Sequence, residues 1–199
     1  MGRILFVRHG QSEWNAEGRW QGQADIPLSD LGRQQAKAAA ASLGTFDVAA
    51  SSTLSRAAET AYIVTSELGI GPIVPVPELV ERSAGEWSGL THADIERDWP
   101  GYLENDKRPP GYELDDELWP RLVSGLMIVD EMLGDDDEAI VFAHGGLIYL
   151  LEDKSGHRRG RIGNLGALWL EIRDGEVIVG ERVELLTSEL ETAQSDQIL

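Results

Sequence analysis

Two short apolar runs, Ile4-Leu5-Phe6-Val7 and Ala139-Ile140-Val141-Phe142-Ala143, each lead into a histidine followed by glycine, in Arg8-His9-Gly10 and His144-Gly145-Gly146. Apolar residues that run on without alternating mark strands covered on both faces, as in a parallel sheet with helices above and below it. Glycine directly after the histidine lets the backbone come close to a bound group. In such sheets ligands gather beyond the carboxyl ends of the strands, so both histidines are expected at one edge of the molecule. The chain has four histidines in 199 residues. Two of them in this setting constrain the fold and the chemistry together.

The segments between these runs read as an alternation of helices and strands. Ser29-Asp30 is expected to cap a helix from Leu31 to Leu43, ended by Gly44, and Phe46 to Ala50 reads as a strand. Ser55 to Leu68 reads as a helix stopped by Gly69, and Pro72 to Pro77 as a short extended piece. Leu118, Leu122, Leu126 and Val129 have helical spacing within Leu114 to Leu133, where Pro120 suggests a late start or a kink. Gly145-Gly146 opens a short helix through Leu151, whose first amides favour negative charge. Gly166 to Ile172 and Val177 to Leu185, joined at Asp174-Gly175, read as a hairpin. The expected architecture is α/β, a three-layer α/β/α sandwich with a mostly parallel central sheet flanked by helices. It occupies residues 1–186 as one domain, and residues 187–199 form a polar, frayed C-terminal tail.

Charge and composition remove several function classes. A formal net charge of -18 argues against nucleic acid or an anionic membrane as partner, since both need a basic face. With no cysteine, disulfides, thiolate metal sites and cysteine nucleophiles are excluded. No apolar run reaches membrane-span length and the N-terminus lacks a cleavable signal pattern, so a cytoplasmic location is expected. Fourteen of the 17 basic residues are arginine, the side chain that holds a phosphate through two parallel hydrogen bonds. Asp135-Asp136-Asp137 is reminiscent of magnesium phosphatases, but it precedes a strand instead of following one and reads as a solvated turn. His92 and His157 have no partner at ligand spacing and read as surface residues. No metal site and no cofactor are expected.

The segment Arg8-His9-Gly10-Gln11-Ser12-Glu13-Trp14-Asn15 resembles the signature of the histidine phosphatase superfamily, also called the phosphoglycerate mutase-like family. The resemblance continues in order. Arg19-Trp20-Gln21-Gly22-Gln23-Ala24-Asp25-Ile26-Pro27-Leu28-Ser29 comes first, then Gly32 with Gln35-Ala36, then Ser51 to Ala61 around Arg56. Leu79-Val80-Glu81 with Gly85 to Leu90, Ala143-His144-Gly145-Gly146 and Asn164 complete it. It implies His9 as the nucleophile on phosphorus, and Arg8, Arg56 and His144 around the phosphate. Asn15 is a further donor, Gln21, Gly22 and Gly145 add backbone groups, and Glu81 is the proton donor to the leaving group. Trp87 is expected in the core, with Trp14 and Trp20 either packed or lining the substrate mouth.

The substrate implied is a small phosphorylated metabolite, with no nucleic acid and no membrane involved; monomer and homodimer both fit. Two alternatives stand beside a phosphatase, a phosphoglycerate mutase and a non-catalytic binder of phosphorylated ligands. The mutase branch carries Glu-Arg-His-Tyr-Gly where this chain has Glu81-Arg82-Ser83-Ala84-Gly85. It also has a longer, basic insertion where Asp98 to Glu117 is acidic and proline-containing, which is expected to repel a phosphorylated acid.

Overall fold

The computed structural model describes residues 2–156 and 159–186; His157 and the tail from Thr187 lie outside them. Six strands form one mixed sheet. These are β1 (Arg3–Arg8), β2 (Val48–Ser51), β3 (Ile73–Pro75), β4 (Glu138–Ala143), β5 (Gly166–Arg173) and β6 (Glu176–Glu184), in spatial order β3-β2-β4-β1-β5-β6. The neighbours β3/β2, β2/β4 and β4/β1 are parallel, while β1/β5 and β5/β6 are antiparallel. The parallel majority expected from the unbroken apolar runs is present, with an antiparallel hairpin added at one side. That hairpin turns at Asp174 and Gly175, both at positive φ, the conformation that matches the twist of its strands.

Alternation along each central strand decides which helices cover which face. Ile4 and Phe6 of β1 with Ala139, Val141 and Ala143 of β4 pack against α5 (Asp115–Asp130) and α6 (Gly145–Lys154). Leu5, Val7, Ile140 and Phe142 pack against α2 (Asp30–Ala40) and α3 (Ser55–Leu68) on the other face. Three layers result, because strands buried on both faces need a helical cover on each. A third apolar cluster lies apart, where Trp20, Ala84, Trp87 and Ile95 gather with Leu103 and Tyr112. It includes α4 (His92–Asp98) and, with α1 (Glu13–Glu17), forms the part of the molecule above the sheet edge. Neither of these short helices carries a periodicity strong enough to announce itself in the sequence.

Several expected boundaries move for identifiable reasons. Ser29 caps α2 through its Oγ, which accepts the Gly32 amide at 3.1 Å, so the helix starts at Asp30 and its regular part ends at Ala40. α5 starts at Asp115, five residues ahead of Pro120, and the Glu117 side chain accepts the Leu114 amide at 2.9 Å. The late start suggested by the proline does not occur.

The first turn of α2 lies directly on the chain leaving β1. A Cβ at Gly32 would stand 2.0 Å from the Gln11 carbonyl oxygen, and one at Gly10 would stand 2.6 Å from the Gly32 carbonyl oxygen. Helix propensity favours alanine over glycine by about 1 kcal/mol, yet here the obstacle is backbone and no rotamer change relieves it. We expect Gly32→Ala to lower stability by about 2 kcal/mol, since overpacking outweighs propensity. Denaturant unfolding checks this: the midpoint should fall at unchanged slope, and a midpoint at or above wild type would rule out the close approach.

Candidate active site

The parallel register assembles the site. Arg8 pairs with Ala143, so the next residues, His9 and His144, leave the sheet side by side, with ring centroids 5.3 Å apart. Ser51 pairs with Phe142, which brings Ser52 beside His144, and Ser52 Oγ lies 2.8 Å from His144 Nε2. Arg56 sits in the first turn of α3, directly after β2, and Glu81 follows β3 through a 3-10 turn at Pro77–Leu79. All five expected catalytic side chains therefore converge at the carboxyl edge of the parallel strands.

Hydrogen bonding fixes the tautomer of His9. Arginine can only donate, and Arg56 Nε lies 3.2 Å from His9 Nε2, so Nε2 is the acceptor and carries the lone pair. The proton is then on Nδ1, which donates to the Gly10 carbonyl at 2.6 Å. Thr60 in turn accepts the Gly10 amide at 3.1 Å and donates to the Arg56 carbonyl at 2.7 Å, and Asn164 Nδ2 donates to the His9 carbonyl at 3.0 Å. Burial, then Arg56 and Arg8, push the His9 pKa well below its ordinary value of 6.5. His144 is pushed the same way by burial, Arg56, His9 and Arg8.

Both arginines are taken out of water, Arg8 at 4% and Arg56 at 0% exposure. Backbone carbonyls hold them. Arg8 Nη1 donates to Ile162 O at 2.6 Å, and Arg56 donates to Ala24 O and Gly22 O, both at 2.8 Å. Burial pulls the Arg56 pKa down to about 10. Two buried atoms here, Arg8 Nε and His144 Nδ1, have no hydrogen-bond partner among the described residues. Buried polar atoms are nearly always paired, so the unpartnered Nε of Arg8, which lines the cavity, points to a ligand.

Glu81 accepts two amides, Arg82 N at 2.8 Å on Oε1 and Gly146 N at 3.1 Å on Oε2. The first turn of α6 thus serves this carboxylate. Arg121 of α5 donates to the carbonyls of Glu78 at 2.6 Å, Val80 at 2.7 Å and Glu81 at 3.3 Å, which fixes the backbone that carries it.

These groups open into a cavity of about 590 Å³. Of the expected residues, Arg8, His9, Asn15, Gln21, Gly22, Arg56, Glu81 and Gly145 form its wall, while His144 lies fully buried against His9, outside that wall. Trp20 both packs on Trp87 and lines the cavity; Trp87 is core, and Trp14 is half-buried against Gly89. His92 is exposed as expected but lies at the cavity wall.

The acidic cap differs from its sequence expectation. Asp106 pairs with Arg108 at 2.5 Å, Asp115 with Arg82 at 2.6 Å and Glu113 with Arg121 at 2.8 Å. Two of its wall-forming acids, Asp106 and Asp115, are thus each paired with an arginine, one of which, Arg82, is remote in sequence. Ser52, Thr60 and the Ile162 carbonyl are functional neighbours that sequence reasoning did not assign. Ser52 alone had a signal, its place at the end of a strand parallel to β4. Among the described residues no group of three or more His, Asp or Glu is arranged to hold a metal ion.

The model of the histidine phosphatase superfamily (branch 1) matches residues 4–179. Glucosyl-3-phosphoglycerate phosphatase of Mycobacterium tuberculosis is 39% identical over 163 residues, covering 75% of this chain and 73% of that protein. A 2,3-bisphosphoglycerate-dependent phosphoglycerate mutase of Parvibaculum lavamentivorans is 32% identical, covering 77% of this chain and 92% of that protein. The structure of a mycobacterial glucosyl-3-phosphoglycerate phosphatase in complex with VO3 superposes with a TM-score of 0.80 at 31% identity, covering 89% of this chain and 96% of that one. Register, paired histidines and matching family agree: this chain belongs to the histidine phosphatase superfamily, branch 1, on its phosphatase side.

Proposed function

We propose that the chain hydrolyses a small phosphomonoester through a phosphohistidine on His9, without a metal ion. The observation that carries this reading is the tautomer of His9, whose Nε2 lone pair points among the buried guanidinium groups. Phosphorus takes the place that the Arg56 Nε–H now occupies on that lone pair, and the guanidinium passes to a phosphoryl oxygen. A bond forms from Nε2 to phosphorus as the bond to the leaving oxygen breaks. Arg8 and Arg56 stabilise the charge spread over the phosphoryl oxygens, the main demand of this transition state. Glu81 acts as the general acid that gives a proton to the leaving oxygen. Water then attacks phosphorus, Glu81 takes a proton from it, and the P–N bond returns its electrons to His9.

Phosphate binding changes the task of His144. Burial, then Arg56 and the other cations beside it, favour its neutral form, and an arriving phosphoryl dianion acts in the opposite direction. Hydrolysis is favoured over transfer to a second substrate by Ala84, which lines the cavity where the mutase branch carries tyrosine. The cavity also accommodates far more than a phosphoryl group. Glucosyl-3-phosphoglycerate, the substrate in the relative's name, is therefore the first compound to test.

A panel of phosphate monoesters incubated with chelator should release inorganic phosphate, with little isomerisation of 3-phosphoglycerate when 2,3-bisphosphoglycerate is supplied. His9→Ala should show no turnover and no acid-labile, base-stable phosphoenzyme on rapid quench. A variant keeping more than about a hundredth of the wild-type rate would contradict covalent catalysis. Isomerisation faster than release of phosphate from the best monoester would make the chain a mutase.

Glu81→Gln should slow alkyl phosphates at least about a hundredfold but nitrophenyl phosphate only a few-fold, because a good leaving group hardly needs the proton. Equal slowing of both removes Glu81 from acid catalysis.

The lowered pKa values of His9 and His144 fix the sign of a third test. Both rings should stay neutral as pH falls through 6.5 and gain protons only at distinctly lower pH. Ring resonances of the ligand-free protein, assigned with His→Ala variants, report this. Titration of either ring at the ordinary histidine value would show that burial and the two arginines do not act on it together as described.

A further inference from the structure

One buried ion pair of the molecule touches neither the cavity nor the cap. Glu152 of α6 is fully buried, and Arg182 of β6 binds both its oxygens, Nε to Oε1 at 2.6 Å and Nη2 to Oε2 at 2.7 Å. The same guanidinium donates to the carbonyls of three successive residues, Arg159 at 3.4 Å, Gly160 at 2.8 Å and Arg161 at 3.0 Å. The Arg159 amide closes the arrangement on Glu152 Oε2 at 3.4 Å. A buried pair of this kind is weak evidence for stability, because apolar residues of similar volume often serve as well. A role besides stability is therefore worth seeking in what the pair holds.

The explanation lies in the residues that follow directly. The Ile162 carbonyl holds Arg8 Nη1 at 2.6 Å, Asn164 holds the His9 carbonyl at 3.0 Å, and the Leu165 amide donates to the Arg8 carbonyl at 3.1 Å. Leu165 has φ 58°, a left-handed conformation that a bulky side chain adopts only when its surroundings dictate it. We propose that the Glu152–Arg182 pair is a positioning device, which fixes the backbone of residues 159–165 so that this segment presents Arg8 and His9 to the phosphoryl group. Arg182 takes no part in the chemistry. It lends its fork to a loop with no regular structure of its own, and the loop lends its carbonyl to the arginine that meets phosphate. This inference rests on the phosphatase reading only for its kinetic readout.

The test uses the full chain with Glu152→Leu and Arg182→Met together, because each single change strands a buried charge and risks unfolding. The double variant should melt near wild type, yet lose about ten- to a hundredfold in kcat/KM for nitrophenyl phosphate, the scale expected of a displaced reacting group. Competitive inhibition by inorganic phosphate should weaken by about tenfold, since it reports the Arg8 pocket directly. Arg182→Lys, which keeps the charge without the fork, should recover only part of the loss. Arg173→Met, which breaks the exposed pair with Glu171 on the same hairpin, should stay within about twofold of wild type. A folded double variant with kcat/KM and phosphate inhibition both within about twofold of wild type overturns the positioning role. Hydrogen exchange at the Ile162 and Leu165 amides gives a second readout that needs no activity. Exchange unchanged in the double variant also overturns it, whereas a wild-type protein inactive on every monoester overturns the proposed function alone.

Discussion

Two guanidinium groups buried without a carboxylate partner dominate the architecture of this site. Among the described residues neither Arg8 nor Arg56 forms an ion pair, and both are nearly or wholly out of water. Moving such a charge from water is unfavourable by several kcal/mol even after relaxation. Backbone carbonyls offset much of it by direct hydrogen bonds, those of Ile162 for Arg8 and of Gly22 and Ala24 for Arg56, and the Glu81 carboxylate acts on both from a distance. The carbonyls must therefore be held rigidly, and much of the surrounding chain has that task. Asp25 accepts both the amide and the hydroxyl of Ser55, at 2.7 and 2.8 Å, tying the Gly22–Ala24 segment to the start of α3 where Arg56 sits. A carboxylate placed beside either arginine would have been a simpler solution, but it would have cancelled the charge that a phosphoryl group needs.

The same device recurs around the cavity. Arg121 holds three carbonyls of the segment that ends in Glu81, and Arg182 holds three carbonyls of the segment that leads to Ile162. Each of these outer arginines does have a carboxylate, Glu113 or Glu152, and so adds no net charge near the pocket. Of these four arginines, the two at the cavity are the ones that form no ion pair among the described residues. The planar fork of arginine suits both tasks, since it can hold several carbonyls in a fixed geometry where an ammonium would act as a point.

What could be read from the sequence follows from this division. Strands β1 and β4 were legible because burial on both faces demands unbroken apolar runs, and His9 and His144 because each follows such a run. Arg56 and Glu81 became legible through the order of the motifs around them. Ile162 was invisible, because its contribution is a carbonyl that any residue possesses. Arg182 was invisible for a different reason: in an alternating strand of the hairpin it is one of several charged residues, and nothing local separates it from Arg173. Ion pairing in the cap was missed because Arg82 and Arg121 meet Asp115 and Glu113 only through the fold. Counting charges along Asp98 to Glu117 therefore left out the arginines that pair with Glu113 and Asp115.

That outcome bears on how a chain of net charge -18 admits an anionic substrate. Exposed carboxylates act through water and salt, which screen them over about 8 Å at physiological ionic strength. The guanidinium groups of Arg8 and Arg56 act from a medium of lower effective permittivity, where a charge at about 4 Å is worth several-fold more than in water. Close to the pocket the local cations outweigh the distant anions, although the chain as a whole repels phosphate at long range. The balance is spatial. On the proposed reading, attraction for phosphate is local to Arg8 and Arg56, and the nearby cap acids Asp106 and Asp115 are each paired with an arginine. In the proposed function the sheet edge meets the transferred group, and the wall formed by Trp20, Ala84, Arg108 and Tyr112 meets the leaving group. The first is built on parallel strands and fixed carbonyls. The second is built on short helices and turns, which can change in sequence without disturbing the charges beneath them.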